Sequence, residues 1–237
     1  MVKVKKVKII IGVIYLVILS TFLYFLFHNF KFEDISSIKV IHANQDQLNI
    51  LKENNLILLI SIFFMLTVLW VILLGFGSPV ALIGGFIFGK WIGTILVTIS
   101  LSIGALCLYI FAKFFLYDFL KEKLFLKFKK LNLMFEKKQL LVMIIFRFVG
   151  FVPFFLANLL PVIFNINVKN YLLGTIIGIM PAIFIMVSLG SGISEAIYNF
   201  EKFPSLLSLI SLPEIYIPII CFFTLLILSI LLKKKFK

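Results

Sequence analysis

The sequence is poor in acidic residues, and those it has avoid its apolar stretches. Of 237 residues only 10 are Asp or Glu and 2 are His, against 23 Lys and Arg, so the net charge is +13. No carboxylate and no histidine occurs in residues 55–113 or 139–194. These two ranges therefore lack the general bases and nucleophile–base pairs that hydrolases and acyl transferases need. We expect no enzymatic activity.

Cysteine and histidine are equally scarce. Cys107 and Cys221 both lie in apolar stretches, which indicates small buried side chains rather than a disulfide. His28 and His42 share one polar stretch with no cysteine nearby. Because a metal site needs clustered ligands, the sequence predicts neither a metal ion nor a cofactor.

Hydrophobic residues dominate what is present. They make up 62% of the chain and the mean hydropathy is +1.18, far above the values of soluble domains. A helix needs about 20 apolar residues to cross the hydrocarbon layer, and five uncharged ranges approach or exceed that length. The pattern predicts an all-α integral membrane protein with about five to six transmembrane helices. The uncharged ranges are residues 9–27, 55–89, 91–112, 170–194 and 215–232.

The basic residues indicate an orientation. Lysines cluster at the N-terminus, in residues 113–138 and in the tail at 233–237, and cytoplasmic loops are enriched in Lys and Arg. Both termini are therefore predicted to be cytoplasmic, and the membrane is predicted to be a bacterial inner membrane. The aromatic and lysine pattern of residues 113–138 favours a helix lying in the headgroup plane, with a solvated loop as the alternative. Anionic lipid explains these lysines more simply than nucleic acid does.

Two segments depart from plain spanning helices. Six of the 13 glycines fall in residues 75–93, and prolines and a glycine interrupt residues 147–168. Such clusters favour broken or re-entrant backbone, and paired broken segments indicate a transporter built from inverted repeats. Small residues spaced four apart also let helices pack closely. The predicted breaks are Gly77, Pro79, Gly84, Gly85, Gly150, Pro153 and Pro161, and the predicted packing residues are Gly89, Gly93, Gly174, Gly178 and Pro181.

Arg147 is the most suggestive single residue, because it is the only charge in residues 139–168 and directly precedes a break. A charge below the headgroups costs about 2.5 kcal/mol or more and marks a candidate site. A guanidinium can hold a phosphate through two hydrogen bonds, so we predict that Arg147 and Asn158 bind a lipid phosphate or another anion. The alternative is that the Arg147 side chain extends to the cytoplasmic membrane–water interface. Lys90 carries a weaker form of this argument, with an anchor beside Trp91 as the alternative.

At these two segments the sequence resembles the DedA superfamily, also described as VTT-domain or SNARE-associated Golgi proteins. The likeness covers roughly residues 56–192 and depends on the order and spacing of small, proline and polar residues. They are Pro79, Gly84, Gly85, Phe88, Gly89, Gly93, Gly104 and Ala105 in the first part, and Arg147, Pro153, Phe154, Asn158, Gly174, Gly178, Pro181 and Gly190 in the second.

The resemblance implies two re-entrant hairpins that meet inside the membrane and a role in moving phospholipid or polyprenyl-phosphate lipid between leaflets. The sequence departs from the family pattern in places. Gly150 stands where a proline is usual, and Pro161 and Val162 replace a small residue and a glycine. No carboxylate lies near Pro79, where other members use one for proton coupling.

The expected organisation has three parts. Residues 1–54 form a transmembrane anchor with an outer loop, residues 55–192 the core, and residues 193–237 a loop, a last helix and a basic tail. The leading hypothesis is a lipid scramblase or flippase whose partners are membrane lipids. The alternatives are a secondary transporter of a small anion or solute, and a non-catalytic assembly protein. A homo-oligomer is compatible with all three functions.

With a cytoplasmic N-terminus and spans at residues 9–27 and 56–74, residues 75–112 would have to begin and end in the cytoplasm, which a re-entrant hairpin followed by one full span does not allow. Two alternatives follow. Either residues 75–112 cross as a broken span with Lys90 outside, or the basic residues 113–138 are not cytoplasmic.

Overall fold

The computed structural model describes residues 38–73, 75–124, 129–149 and 152–199, with isolated positions in 15–24 and most positions in 212–227. The chain divides into two compact units, Met1–Asn54 and Asn55–Lys237. Most of the predicted first span, residues 9–27, lies outside the described residues. The helices are α1 (Ile38–Ile72), α2 (Gly77–Leu124), α3 (Lys129–Val149), α4 (Phe154–Leu159), a 3-10 turn (Leu160–Phe164) and α5 (Val168–Asn199).

Three segments of the described chain are long and apolar enough to cross a membrane: Asn54–Ile72, Gly77–Phe115 and Val168–Ala196. Helices suit this environment because every backbone donor and acceptor can bond within the helix. Only 11% of the residues in the most apolar window of Asn54–Ile72 are buried inside the protein, and Ile57 is 81% exposed. An outward apolar surface of this kind faces lipid. The molecule is an all-α integral membrane protein, and the predicted total of five to six spans stays a prediction.

The first chain reversal lies inside α2. A straight helix over Gly77–Phe115 would be about 58 Å long, nearly twice the thickness of the hydrocarbon layer. The backbone leaves the helix at Gly89, with φ 73° and ψ 179°. A Cβ on Gly93 would lie 2.8 Å from the carbonyl oxygen of Gly84, although a straight helix separates these residues by about 13 Å. Residues 77–88 therefore fold back on residues 90–101, and together they form the first helical hairpin.

A short non-helical connection precedes this hairpin. The amide of Gly75 donates to the carbonyl of Trp70, and the Trp70 indole Nε1–H donates to the carbonyl of Phe76, each at 2.9 Å. Helix α2 then begins at Gly77, and Pro79 lies in its first turn. Backbone amides in the first turn of a helix have no intrahelical acceptor, so the proline, which lacks an amide hydrogen, breaks no hydrogen bond there. The interruption predicted at Gly77 and Pro79 thus lies directly before them.

The second chain reversal follows α3. Pro153 is the N-cap of α4, the 3-10 turn contains Pro161, and Asn165 adopts a left-handed conformation with φ 48° before α5 begins. The Tyr171 hydroxyl lies 3.3 Å from the carbonyl oxygen of Asn158, so α4 folds back on α5. We call residues 154–199 the second helical hairpin. The order of long helix, connection, short arm, turn and long helix thus occurs twice. Re-entrant placement of either hairpin in a bilayer stays a prediction.

Three roles predicted within the first glycine cluster are wrong. Gly84 and Gly85 were predicted as breaks, but both are buried inside the helical arm. A Cβ on Gly85 would lie 2.0 Å from the backbone oxygen of Val187 on α5, so this glycine permits close packing. Gly89 was predicted to pack, but a Cβ there would meet nothing within 4 Å, and its backbone forms the turn. Periodicity alone could not tell which glycine of the cluster has the positive φ.

The first hairpin packs against α5, and glycines on both sides allow the close contact. A Cβ on Gly190 would lie 2.1 Å from the carbonyl oxygen of Leu82, the counterpart of the contact between Gly85 and Val187. From Leu82 to Gly85 the residue number rises, whereas that of the partner on α5 falls from Gly190 to Val187, so the arm and α5 are antiparallel. Pro181 was predicted to pack between helices, but it is an exposed residue inside α5, and that prediction is wrong. The predicted break at Gly150 lies outside the described residues.

Two further expectations need correction. The helix predicted in residues 113–138 is not separate from the preceding one, because α2 continues to Leu124, while α3 begins at Lys129; its placement in the headgroup plane stays a prediction. Cys107 and Cys221 are both exposed, so the prediction that they are buried is wrong. An apolar stretch in a membrane protein does not by itself imply burial, since half of it can face lipid.

Candidate functional site

Arg147 lies near the C-terminal end of α3, where glycines on α5 allow a close helix contact. A Cβ on Gly178 would lie 2.5 Å from the Arg147 Cβ, and one on Gly174 would lie 2.6 Å from the Met143 Cγ. Side chains at these two positions would force the helices apart. The close approach directs Arg147 into the protein, where only 6% of it is exposed.

Three neutral side chains hold the guanidinium. Nη1 donates to Asn158 Oδ1 at 2.7 Å, Nη2 donates to the Tyr171 hydroxyl at 2.8 Å, and Nε donates to Thr175 Oγ1 at 3.2 Å. Asn158, Tyr171 and Thr175 are each 0% exposed. The rings of Tyr171 and Phe154 lie 5.4 and 5.8 Å from the guanidinium carbon, within the range of a cation–π contact. Arg147 is therefore fixed by α4 and α5 together.

No carboxylate neutralises this cation among the described residues, and residues 139–194 contain none. A buried charge without a counter-ion is costly, because hydrogen bonds from neutral groups replace only part of its hydration. A guanidinium has five N–H donors and three are used here, so one N–H on each terminal nitrogen remains. The arrangement leaves a net positive charge and spare donors inside the protein.

Tyr171 connects the site to the first hairpin. Its hydroxyl lies 3.2 Å from the carbonyl oxygen of Ala105 on α2, so one hydroxyl accepts from Arg147 and can donate towards α2 or α4. Its ring stacks on that of Tyr109, with centroids 4.3 Å apart. The Tyr109 hydroxyl in turn donates to the carbonyl of Ile166 at 2.5 Å. Four helices thus meet around one polar cluster.

The interior of the described chain also contains polar atoms without a hydrogen-bond partner. They include Asn158 Nδ2, beside the guanidinium, and the hydroxyls of Thr98 and Ser102, one turn apart on α2. Buried polar groups are normally paired, so an unpaired amide donor next to an unneutralised cation is unusual. A site rich in donors and positive charge suits an anion or ordered water.

The structure brings together two of the three predicted binding residues. Arg147 and Asn158 are directly bonded, whereas Lys90 lies at the turn of the first hairpin, next to Trp91. Sequence analysis missed Tyr171 and Thr175. Their spacing of four residues on an apolar helix, beside Gly174 and Gly178, was a signal that could have found them.

A family model described as the VTT domain matches residues 71–192, just over half of the chain. The matched range contains both helical hairpins up to Gly192 and every residue that contacts the Arg147 guanidinium. No solved structure matches the chain.

Proposed function

Because this chain belongs to the VTT-domain family of DedA and SNARE-associated Golgi proteins, we propose that it moves phosphate-bearing lipids between membrane leaflets. It would act as a scramblase or flippase for phospholipid or polyprenyl-phosphate lipid. The observation that carries this proposal is the buried guanidinium of Arg147, held by neutral groups only. The proposed setting is a bacterial inner membrane with both termini cytoplasmic.

The chemistry of the site favours an anionic ligand that enters transiently. The side-chain oxygens of Asn158, Tyr171 and Thr175 are neutral acceptors, which a phosphate oxygen can replace because it is the stronger acceptor for a guanidinium. A carboxylate partner would compete much better. Asn158 Nδ2 supplies a further donor at the same point. The site can therefore bind a phosphate and release it again, as transport requires.

Arg147 lies where both hairpins meet, so a movement of one hairpin away from the other would open the site. Arg147 and its partners lie on α3, α4 and α5, and Tyr171 contacts α2 at Ala105. We propose that both hairpins are re-entrant, that residues 55–192 form the transport core, and that separation of the hairpins admits the lipid. Residues 1–54 and 193–237 would then anchor that core.

Lipid exchange in vesicles tests this proposal. The full-length protein in liposomes should allow a fluorescent phospholipid or polyprenyl phosphate to change leaflets, and Arg147→Ala should reduce the rate at least tenfold. Arg147→Lys keeps the charge and should retain part of the exchange, which separates a loss of charge from a loss of fold. Exchange by the Arg147→Ala protein at the full rate would remove the role of this residue. The absence of exchange for every lipid tested would disprove the proposed function.

A transporter of small anions is the second candidate, because the same donors would bind a soluble anion. Uptake of radiolabelled phosphate into tight vesicles without lipid exchange would favour that candidate. Recovery of a stoichiometric partner protein with no transport of either kind would favour an assembly role.

A further inference from the structure

A cavity lies away from Arg147, between α5 and the described residues of 213–227. Its volume is about 880 Å³, and its wall also includes Lys90 at the turn of the first hairpin. This volume is in the range of pockets that hold a small-molecule ligand. Lys90 was predicted to bind a lipid phosphate or another anion, and it lies in the wall of this cavity and not beside Arg147.

The cavity is long and mostly apolar. On α5 the lining positions run from Pro181 to Glu195, and on the opposite side from Pro213 to Ile227, at spacings of one to four residues. Fourteen residues of helix correspond to about 21 Å. An elongated apolar surface of this length matches an extended hydrocarbon chain better than it matches a compact solute.

The two ends of the cavity have opposite charge. Trp91, next to Lys90, packs against Phe184 with ring centroids 5.7 Å apart, so Lys90 lies at that level of α5. Glu195 lies eleven residues further along, about 16 Å away. Within the described chain neither Lys90 nor Glu195 forms an ion pair. One end is therefore cationic and the other anionic.

Ser188 adds a polar group near the cationic end. It lies one helical turn after Phe184, lines the cavity, and is only 9% exposed. Its hydroxyl has no hydrogen-bond partner in the described part of the protein. The Lys90 ammonium on the first hairpin and the unpaired Ser188 hydroxyl on α5 are two potential donors to a phosphate group at this end of the cavity.

We propose that this cavity binds one phosphate-bearing lipid, with its phosphate at Lys90 and Ser188 and its hydrocarbon chain on the apolar wall. Glu195 repels a phosphate from the opposite end, which fixes the direction of the lipid. Phe184 lies six residues beyond Gly178, against which Arg147 packs, so the two phosphate positions are about 9 Å apart along α5. The use of both positions in one translocation path rests on the proposed function, but lipid binding here does not.

Cys221 allows occupancy to be measured directly. It lines the cavity and is exposed, whereas Cys107 on α2 is exposed and does not line it. The full-length protein in detergent is alkylated with N-ethylmaleimide in the presence of phosphatidic acid, of diacylglycerol with the same chains, or of inorganic phosphate. The rate at each cysteine is read by mass spectrometry.

Phosphatidic acid should slow alkylation of Cys221 but not of Cys107, at about tenfold lower concentration than diacylglycerol does. Inorganic phosphate should give no protection, because it lacks the chain. Lys90→Gln should abolish the preference for phosphatidic acid, Ser188→Ala should weaken it, and Lys90→Arg should retain it. Lys169→Gln is the matched control, since Lys169 is exposed and does not line the cavity.

Three results would overturn the proposal: no protection of Cys221 by either lipid, equal protection by both, or an undiminished preference in Lys90→Gln. Protection by inorganic phosphate alone would assign the site to a soluble anion and would also overturn it. Leaflet exchange is measured with the same protein variants reconstituted in liposomes. Lost exchange with intact protection contradicts only the proposed function, and the reverse result contradicts only this cavity.

Discussion

Arg147 donates a 2.7 Å hydrogen bond to the side-chain oxygen of Asn158, and both side chains are buried. The bond joins the end of α3 to the short arm of the second hairpin, across the interruption at Pro153. It keeps the arm next to the cation without neutralising the charge. The functional and structural contributions of this pair can therefore be separated by changing the charge at position 158 alone.

Asn158→Asp should preserve the fold and stop transport. The carboxylate keeps the shape of the amide and forms a charge-assisted bond with the guanidinium, so the apparent melting temperature should not fall. The neutralised cation no longer attracts phosphate, and leaflet exchange should drop at least tenfold. Asn165→Asp, at an exposed position in the turn, is the control and should change neither quantity. Full exchange by Asn158→Asp would contradict a role for the net charge of the site.

Tyr171→Phe should weaken the junction of the four helices. The change removes the hydroxyl that accepts from Arg147 and approaches two carbonyls, but keeps the ring that stacks on Tyr109. A buried donor left unpaired costs about 1–3 kcal/mol, which thermal unfolding in detergent can measure. Tyr216→Phe, at an exposed position, should stay within about 0.5 kcal/mol. Equal stability of the two variants would show that the Tyr171 hydroxyl does not stabilise the junction.

Gly85→Ala should prevent correct packing of the first hairpin on α5. The new Cβ would lie 2.0 Å from a backbone oxygen, which cannot move without displacing the helix. We expect a loss of about 1–3 kcal/mol or more. Gly77→Ala is the matched control, because its Cβ would lie 3.5 Å from the nearest atom, a side-chain methyl of Leu101. If thermal unfolding gives Gly85→Ala the stability of Gly77→Ala, the close approach of the first hairpin to α5 is wrong.

Gly89→Ala should destabilise the protein although the site has space for a methyl group. The backbone there has φ 73° and ψ 179°, a region that is essentially restricted to glycine, and the strain costs about 1–3 kcal/mol. Gly89→Asn should be equally unfavourable, since asparagine tolerates the left-handed helical region but not this one. Asn165→Gly, at a left-handed position with φ 48°, should be nearly neutral in the same unfolding measurement. A neutral Gly89→Ala would contradict the chain reversal at this residue.

The sequence alone was sufficient to predict an all-α integral membrane protein. Charge-free stretches longer than the hydrocarbon layer leave few soluble alternatives, and the apolar helices follow from the need to pair every backbone group. The VTT-domain family was also identified from the order of glycines, prolines and Arg147, and the family match to residues 71–192 confirms it.

The roles of individual glycines could not be read in the same way. Gly84, Gly85 and Gly89 look alike in sequence, yet two permit helix contacts and one forms a turn. The difference depends on which residues of α5 lie opposite, and those contacts are distant in sequence. Tyr171 and Thr175 were missed for the same reason, because their meaning appears only once α3 packs against α5.

Transport of the proposed kind would respond to voltage, because Arg147 has only neutral partners. A unit charge that moves across the whole membrane field gains or loses about 2.3 kcal/mol per 100 mV. An empty site carries one uncompensated charge, whereas a site occupied by a singly charged phosphate carries none. Any displacement of the guanidinium during transport would therefore be driven by voltage on the empty return and be nearly indifferent to voltage with lipid bound. An inside-negative potential would then change the turnover rate through the step in which the empty site returns.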